Sequence, residues 1–272
     1  MSTAALPAST DPIFHRAVDL LDTGDVDGLR AHLKAHPALV HERVRFEGFP
    51  YFQSPALLEF IAENPIRNGT LPPNIVEVAR VILEAGAKSD KEALNETLGL
   101  VCSGCVAREC GVQRALIDLL CQYGADPNSA MTPALPHGEF EAANALVQHG
   151  ARIDLPAAAA LGRVENARQL LAMATGDERH RAMALAAQFG HTEIVRMLLD
   201  LGVDPSRYNP TGFHPHSTPL HQAALAGHHD VVRLLVERGA RLELKDTVWQ
   251  GTPEGWALHA GNTNIAEYLR AH

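Results

Sequence analysis

The chain is poor in aromatic residues and lacks the local signatures that announce catalysis. Phe, Trp and Tyr make up 5% of its 272 residues, which suits closely stacked Ala/Leu helices better than an aromatic-centred sandwich. There is no G-x-S-x-G, H-E-x-x-H, P-loop or Rossmann fingerprint. A site assembled from distant segments would still leave no such trace. No stretch approaches the ~18 apolar residues of a membrane span, and residues 1–10 have neither a basic n-region nor an apolar run of signal-peptide length. The chain is therefore expected to be cytoplasmic and off the membrane, and its sequons Asn68-Gly69-Thr70 and Asn95-Glu96-Thr97 to be chance. Positive charge is also scarce. With 23 Lys and Arg against 32 Asp and Glu the net charge is −9, which argues against nucleic acid and anionic membranes as partners. Four cysteines in such a chain are expected as thiols.

What the sequence does have is a repeat. Thr218-Pro219-Leu220-His221-Gln222-Ala223-Ala224-Leu225-Ala226-Gly227-His228 runs into Val231-Val232-Arg233-Leu234-Leu235 and closes at Gly239-Ala240. Thr218 is placed to cap a first helix, with Pro219 where a missing N–H is harmless. Leu220, Ala223 and Ala224 share one face, and the small alanines admit a close neighbour. Gly227 stands at the turn into a second helix, where a positive φ favours glycine. This stretch resembles the ankyrin repeat at nearly every signature position.

The inter-helix glycine, twelve residues before the second one, serves as a ruler. Its counterparts are Gly24, Asn74, Val112, Gly138, Gly162, Gly190, Gly227 and Gly261, at intervals of 50, 38, 26, 24, 28, 37 and 34 residues against an ankyrin period of about 33. Residues 1–11 read as a flexible tail. The remainder, 12–272, reads as a single all-α solenoid of about eight helix–turn–helix repeats with short hairpin fingers, capped by residues 12–36 and 252–272. The connector 37–53, with Phe46, Phe49, Tyr51 and Phe52, is expected to pack over the first repeat. Pro65, Pro72 and Pro73 forbid a continuous helix after 56–64, so residues 65–74 form an inserted inter-helix loop. A second insert, 102–111, should lie beside it. In repeat four Pro133 and Pro136 leave little room for a first helix. The short intervals around it imply missing fingers.

The polar residues fall into three groups. His221, His191 and His228 occupy repeat signature positions, where imidazoles hydrogen-bond within and between repeats. Cys102, Cys105 and Cys110 have half the spacing of a zinc site but lack a second pair, so no metal is assigned. The long finger 204–217 and its neighbour gather Tyr208, Phe213, His214, His216 and Trp249. Aromatic anchors rimmed by polar groups mark partner-binding surfaces; Tyr208 and Phe213 could equally pin the loop to the stack.

Beyond the repeat, Glu63-Asn64-Pro65-Ile66-Arg67-Asn68-Gly69, Arg108-Glu109-Cys110-Gly111-Val112 and Gly212-Phe213-His214 resemble a widespread group of bacterial ankyrin-repeat proteins of unknown function. That resemblance implies a fold and no catalytic residues or cofactor. The reading is a monomeric, non-enzymatic interaction module that binds a partner protein through its concave face and C-terminal fingers. The alternative is a small-molecule or metal-binding protein, or an enzyme, with its site under loops 65–74 and 102–111 or under finger 204–217.

Overall fold

The computed structural model describes residues 11–45 and 51–272. The expected tail up to residue 10, and Phe46 and Phe49, lie outside the described residues. Among the described residues sixteen α-helices run α1 Pro12–Asp22, α2 Val26–Ala35, α3 Ile75–Glu84, α4 Lys91–Ser103, α5 Cys105–Glu109, α6 Gln113–Gln122, α7 Met131–Ala134 and α8 Phe140–Gln148. They continue as α9 Leu155–Ala160, α10 Val164–Leu170, α11 Gly176–Gln188, α12 Thr192–Asp200, α13 Pro219–Ala226, α14 His229–Glu237, α15 Pro253–His259 and α16 Thr263–Ala271. Among the described residues there is no strand, only an isolated bridge between Arg43 and Ala56.

The described chain divides into two compact units that meet between Arg152 and Ile153, each built of four helical pairs. In the second unit α9, α11, α13 and α15 pack side by side as an inner row, with α10, α12 and α14 as an outer one. Alanine makes this possible: Ala157 to Ala160, Ala182, Ala186, Ala223 and Ala224 are all buried at 1% exposure or less. Leucines complete the filling, with Leu198, Leu220 and Leu235 buried between successive pairs. The first unit has the same plan, its outer row being α2, α3, α6 and α8. Phe60 there meets Phe14 and Phe52 edge-on at 5.8 and 5.4 Å, so half of the described connector aromatics do pack inward. Tyr51 remains 58% exposed.

Four second helices, α3, α12, α14 and α16, are tied to the pair before them by their cap residues. Asn74 Nδ2 donates to Gly24 O at 2.9 Å, and Asn262 Nδ2 to Ala224 O at 2.9 Å. His191 Nε2 and His228 Nε2 face Ala160 O and Gln188 O at 3.0 Å each. Those rings therefore carry the proton on Nε2, and burial lowers the pKa of His191. The glycines before His191, His228 and Asn262 have positive φ, as at Gly227 (81°).

Three local expectations differ. Residues 57–62 form a 3-10 turn instead of the helix expected over 56–64, because Glu63 turns left-handed at φ 49° to receive the backbone N–H groups of Arg67, Asn68 and Gly69. The insert after α4 holds a short helix of its own, α5. Repeat four keeps its first half as 3-10 turns around α7, broken where Pro133 and Pro136 remove donors. The ruler also slips at Asn74 and Val112, which are the caps of α3 and α6 themselves. Those two helices are one residue longer than α14.

Candidate functional site

The two C-terminal fingers are loops shaped by side-chain acceptors. In the first, Asn209 N donates to Ser217 O at 2.8 Å, and Phe213 N to Pro210 O at 3.0 Å. His214, at φ 60°, turns the chain back toward α13. The second finger is organised by Asp246. Its carboxylate accepts N–H from Val248 at 2.9 Å, Trp249 at 2.6 Å and Gly251 at 2.7 Å, and the Trp256 indole N–H at 3.0 Å. Burial alone would raise this carboxyl, but the four donors overcome it and hold its pKa at about 2. A Cβ at Gly251 would stand 3.0 Å from Trp256 Cδ1 and 3.1 Å from Asp246 Oδ2, so a side chain there would press on this brace.

The fingers are joined to each other and to the inner row. Thr247 N donates to His216 O at 2.9 Å, and Tyr208 Oη donates to Lys245 O at 2.6 Å. His221, fully buried on α13, sets its Nε2 against Gly251 O at 3.1 Å while Nδ1 faces Thr218 Oγ1 at 2.8 Å. Burial keeps its pKa below the usual histidine value, so the neutral ring holds finger and helix together.

Between these fingers and the inner row lies a pocket of about 680 Å³. Its walls are His214, His216, Gln222, Leu225, Trp249, Gly251, Gly255, Trp256 and His259. His216 contacts both indoles, at 5.2 Å from Trp249 and 5.7 Å from Trp256, and the indoles lie 5.9 Å apart. Both tryptophans of the chain stand at this one place. No Asp, Glu, Lys or Arg lines it, and its polar groups are three imidazoles and the Gln222 amide. Its size is that of ordinary ligand or side-chain pockets.

Of the five residues singled out from sequence, the structure brings His214, His216 and Trp249 together on the pocket, with Trp249 69% exposed. Phe213 does not face outward as expected. It is 3% exposed, because the tight turns at Pro210 and His214 fold its ring under the finger. Tyr208 is half-buried and spends its hydroxyl on Lys245 O. Sequence reading missed Trp256, which the capping repeat disguised as core, and also Gln222 and His259. The one signal for them is α-helical spacing: Gln222 and Leu225, three apart, lie on the pocket side of α13, as Trp256 and His259 do on α15.

The loops 65–74 and 102–111 do lie together. Asn64 Nδ2 donates to Leu100 O and Ser103 Oγ at 3.1 Å each, and Thr70 Oγ1 is 3.9 Å from Cys110 Sγ. Arg67 forms a bidentate pair with Asp22 at 2.9 and 2.8 Å, and Arg108 pairs with the buried Glu139. Arg67 and Arg108, one from each insert motif, are thus held in ion pairs. All four cysteines are free thiols. Among the described residues no three His, Cys, Asp or Glu side chains could share a metal ion, and no helix is long and apolar enough to cross a membrane.

A family model described as ankyrin repeats in three copies matches residues 156–246 and 210–272. The chain is 30% identical over 210 residues to "Ankyrin repeat and KH domain-containing protein mask-1" of Caenorhabditis elegans, covering 71% of this chain and 8% of that protein. It is 33% identical over 126 residues to "Cyclin-dependent kinase 4 inhibitor B" of Bos taurus, covering 45% of this chain and 93% of that one. It is also 33% identical over 121 residues to human "Cyclin-dependent kinase inhibitor 2A", covering 43% of this chain and 75% of that protein.

Proposed function

The chain belongs to the ankyrin-repeat family, and on that premise we propose that it is a non-enzymatic protein-binding module. Its working surface is the inner-row groove and fingers of the second unit. A partner protein seats an uncharged side chain against His214, His216, Trp249 and Trp256. The observation that carries this reading is Trp249. A tryptophan 69% exposed on a braced fingertip, above a 680 Å³ uncharged pocket, is how a binding anchor looks before its partner arrives. The fingertip is ordered in advance by Asp246, which lowers the entropic penalty of association. Relatives named as kinase inhibitors act, by name, on other proteins, which supports a protein partner over a metabolite. The same reading makes residues 12–272 one repeat array, working as a cytoplasmic monomer without nucleic acid or membrane.

The test is retention of partners from native cell extract on the immobilised chain, quantified by mass spectrometry. Proteins held by the parent and by Glu165→Gln should fall at least about tenfold on Trp249→Ala. Equal retention by Trp249→Ala would remove the fingertip from the interface.

A further inference from the structure

The fingertip pocket has no carboxylate, ammonium or guanidinium in its lining, so its charge is set by imidazoles. We propose that protonation of His216 empties this pocket, so that the chain holds its partner at neutral pH and releases it in mild acid. The switch rests on the docking role of the pocket given above and regulates that same site.

His216 is placed where its charge is felt by whatever docks. Its ring stands perpendicular to Trp249 at 5.2 Å and tilted on Trp256 at 5.7 Å, and the indoles are 5.9 Å apart. Centroids this close leave no room for a further group among the three rings, given contact distances of about 3.5–4 Å. They form one wall, and a side chain seated on the indoles lies against the imidazole. Imidazole is also the side chain whose charge ordinarily changes between roughly pH 5 and 8.

The ring nitrogens of His216 are unspent: among the described residues none hydrogen-bonds them. The signature histidines differ. His191, His221 and His228 each set Nε2 against a backbone carbonyl, at 3.0, 3.1 and 3.0 Å, and burial lowers the pKa of His191 and His221. His216 can take a proton from water without breaking a bond. Its backbone is pinned, since its carbonyl accepts from Thr247 N at 2.9 Å, which keeps the charge at the pocket.

Few other titratable or charged groups surround the ring. His214 stands 6.1 Å away on the same finger. The second finger brings the Asp246 carboxylate, already spent on three backbone N–H groups and the Trp256 indole, and the exposed Lys245. The helix α13 brings the buried His221, and α15 brings His259 and Glu254, the latter paired with Arg270. Asp246, held at about 2, keeps its charge in mild acid, so the brace survives while the imidazole titrates. Desolvation sets the sign. An uncharged side chain covers a neutral imidazole at little cost, whereas covering an imidazolium strips water from a charge and returns no counter-charge.

The test compares retention on the immobilised full chain at about pH 7.5 and about pH 5.5, either side of the ordinary imidazole range midpoint. The probe is the set of extract proteins that the parent holds and Trp249→Ala loses. The parent should hold at least about tenfold less of them at the lower pH. In His216→Gln, whatever its level at the higher pH, the two should agree within about threefold; His137→Gln, in the other unit, should keep the parent's ratio. Trp249-dependent retention that ignores pH overturns the proposal and leaves the docking role standing. A ratio as large in His216→Gln as in the parent also overturns it, by assigning the titration elsewhere. Equal retention by Trp249→Ala and the parent would remove the docking role, and this switch with it. If His216→Gln captures nothing, indole emission decides. Both tryptophans stand at this pocket, and an imidazolium quenches a neighbouring indole more than the neutral ring does. Emission of the parent should drop between the two pH values and that of His216→Gln should not; matching profiles overturn the proposal.

Discussion

The indole N–H of Trp256 donates to Asp246 Oδ2 at 3.0 Å. One hydrogen bond thus fixes the fingertip that displays Trp249 to the helix that floors the pocket beneath it. Asp246→Ala should strand that indole donor and three backbone N–H groups. The expected loss is about 2–4 kcal/mol, measured by denaturant unfolding at neutral pH. The sign with pH follows from the carboxyl being held at about 2, below its ordinary 3.8. Its contribution is present above pH ~4 and is lost as pH falls through 2. The gap between parent and variant should therefore close in strong acid; a constant gap would refute the bracing role.

Phe213 and Trp249 should behave as opposites although both are fingertip aromatics. Phe213→Ala empties a buried ring site and should destabilise by about 3–5 kcal/mol. Trp249→Ala removes an exposed side chain and should stay within about 0.5 kcal/mol of the parent. Partner capture should follow Trp249. Thermal melts of the two single variants check the first contrast directly.

Glu59 supplies a pH dependence of the other sign. Burial pushes its carboxyl up from 4.5 to about 7, against the opposing Ala56 N–H and Arg43. The folded state thus holds a proton that the unfolded chain releases. Stability from this group is fully present below pH ~4.5 and declines as pH rises through 7. Glu59→Gln removes the titration, so its melting temperature should gain on the parent's between pH 5 and 8. A parallel pair of curves would show that Glu59 titrates as it does in water.

Gly227→Val tests the repeat itself. The residue has φ 81°, and a Cβ would stand 3.2 Å from Asn262 Oδ1, crowding the cap of the following pair. A β-branched residue resists that backbone, and a loss of about 2 kcal/mol or more is expected. Leu235→Ala, which empties a fully buried site, should lose about 2–5 kcal/mol. Equilibrium unfolding of both variants checks these values; parent-like stability would contradict the stacking.

The helical frame was legible because its signals are local. Thr218-Pro219 and Gly227 state where one helix starts and where it must stop, and α13 and α14 lie there. Asn64-Pro65 and Pro72-Pro73 likewise marked a break. The pocket was only half legible. His214, His216 and Trp249 were visible as a cluster, but a loop has no periodicity to say which way Phe213 points. Trp256 was read as a capping residue because nothing local ties it to Asp246 ten positions earlier. Glu59 was invisible for a related reason. A glutamate in an apolar run, Leu57-Leu58-Glu59-Phe60-Ile61, looks like the wet side of a helix, whereas the 3-10 turn places it inside.

The cap clamps at Asn74, His191, His228 and Asn262 sit at the turn end of their pairs, and the fingers leave from the opposite end. Each clamp reaches only the pair before it. Length can therefore be added to or removed from a finger without disturbing the joint that sets the stacking. Spacings as unequal as 28 and 37 residues then coexist in one array, and new recognition loops can be grafted at the finger end while the joints stay as they are.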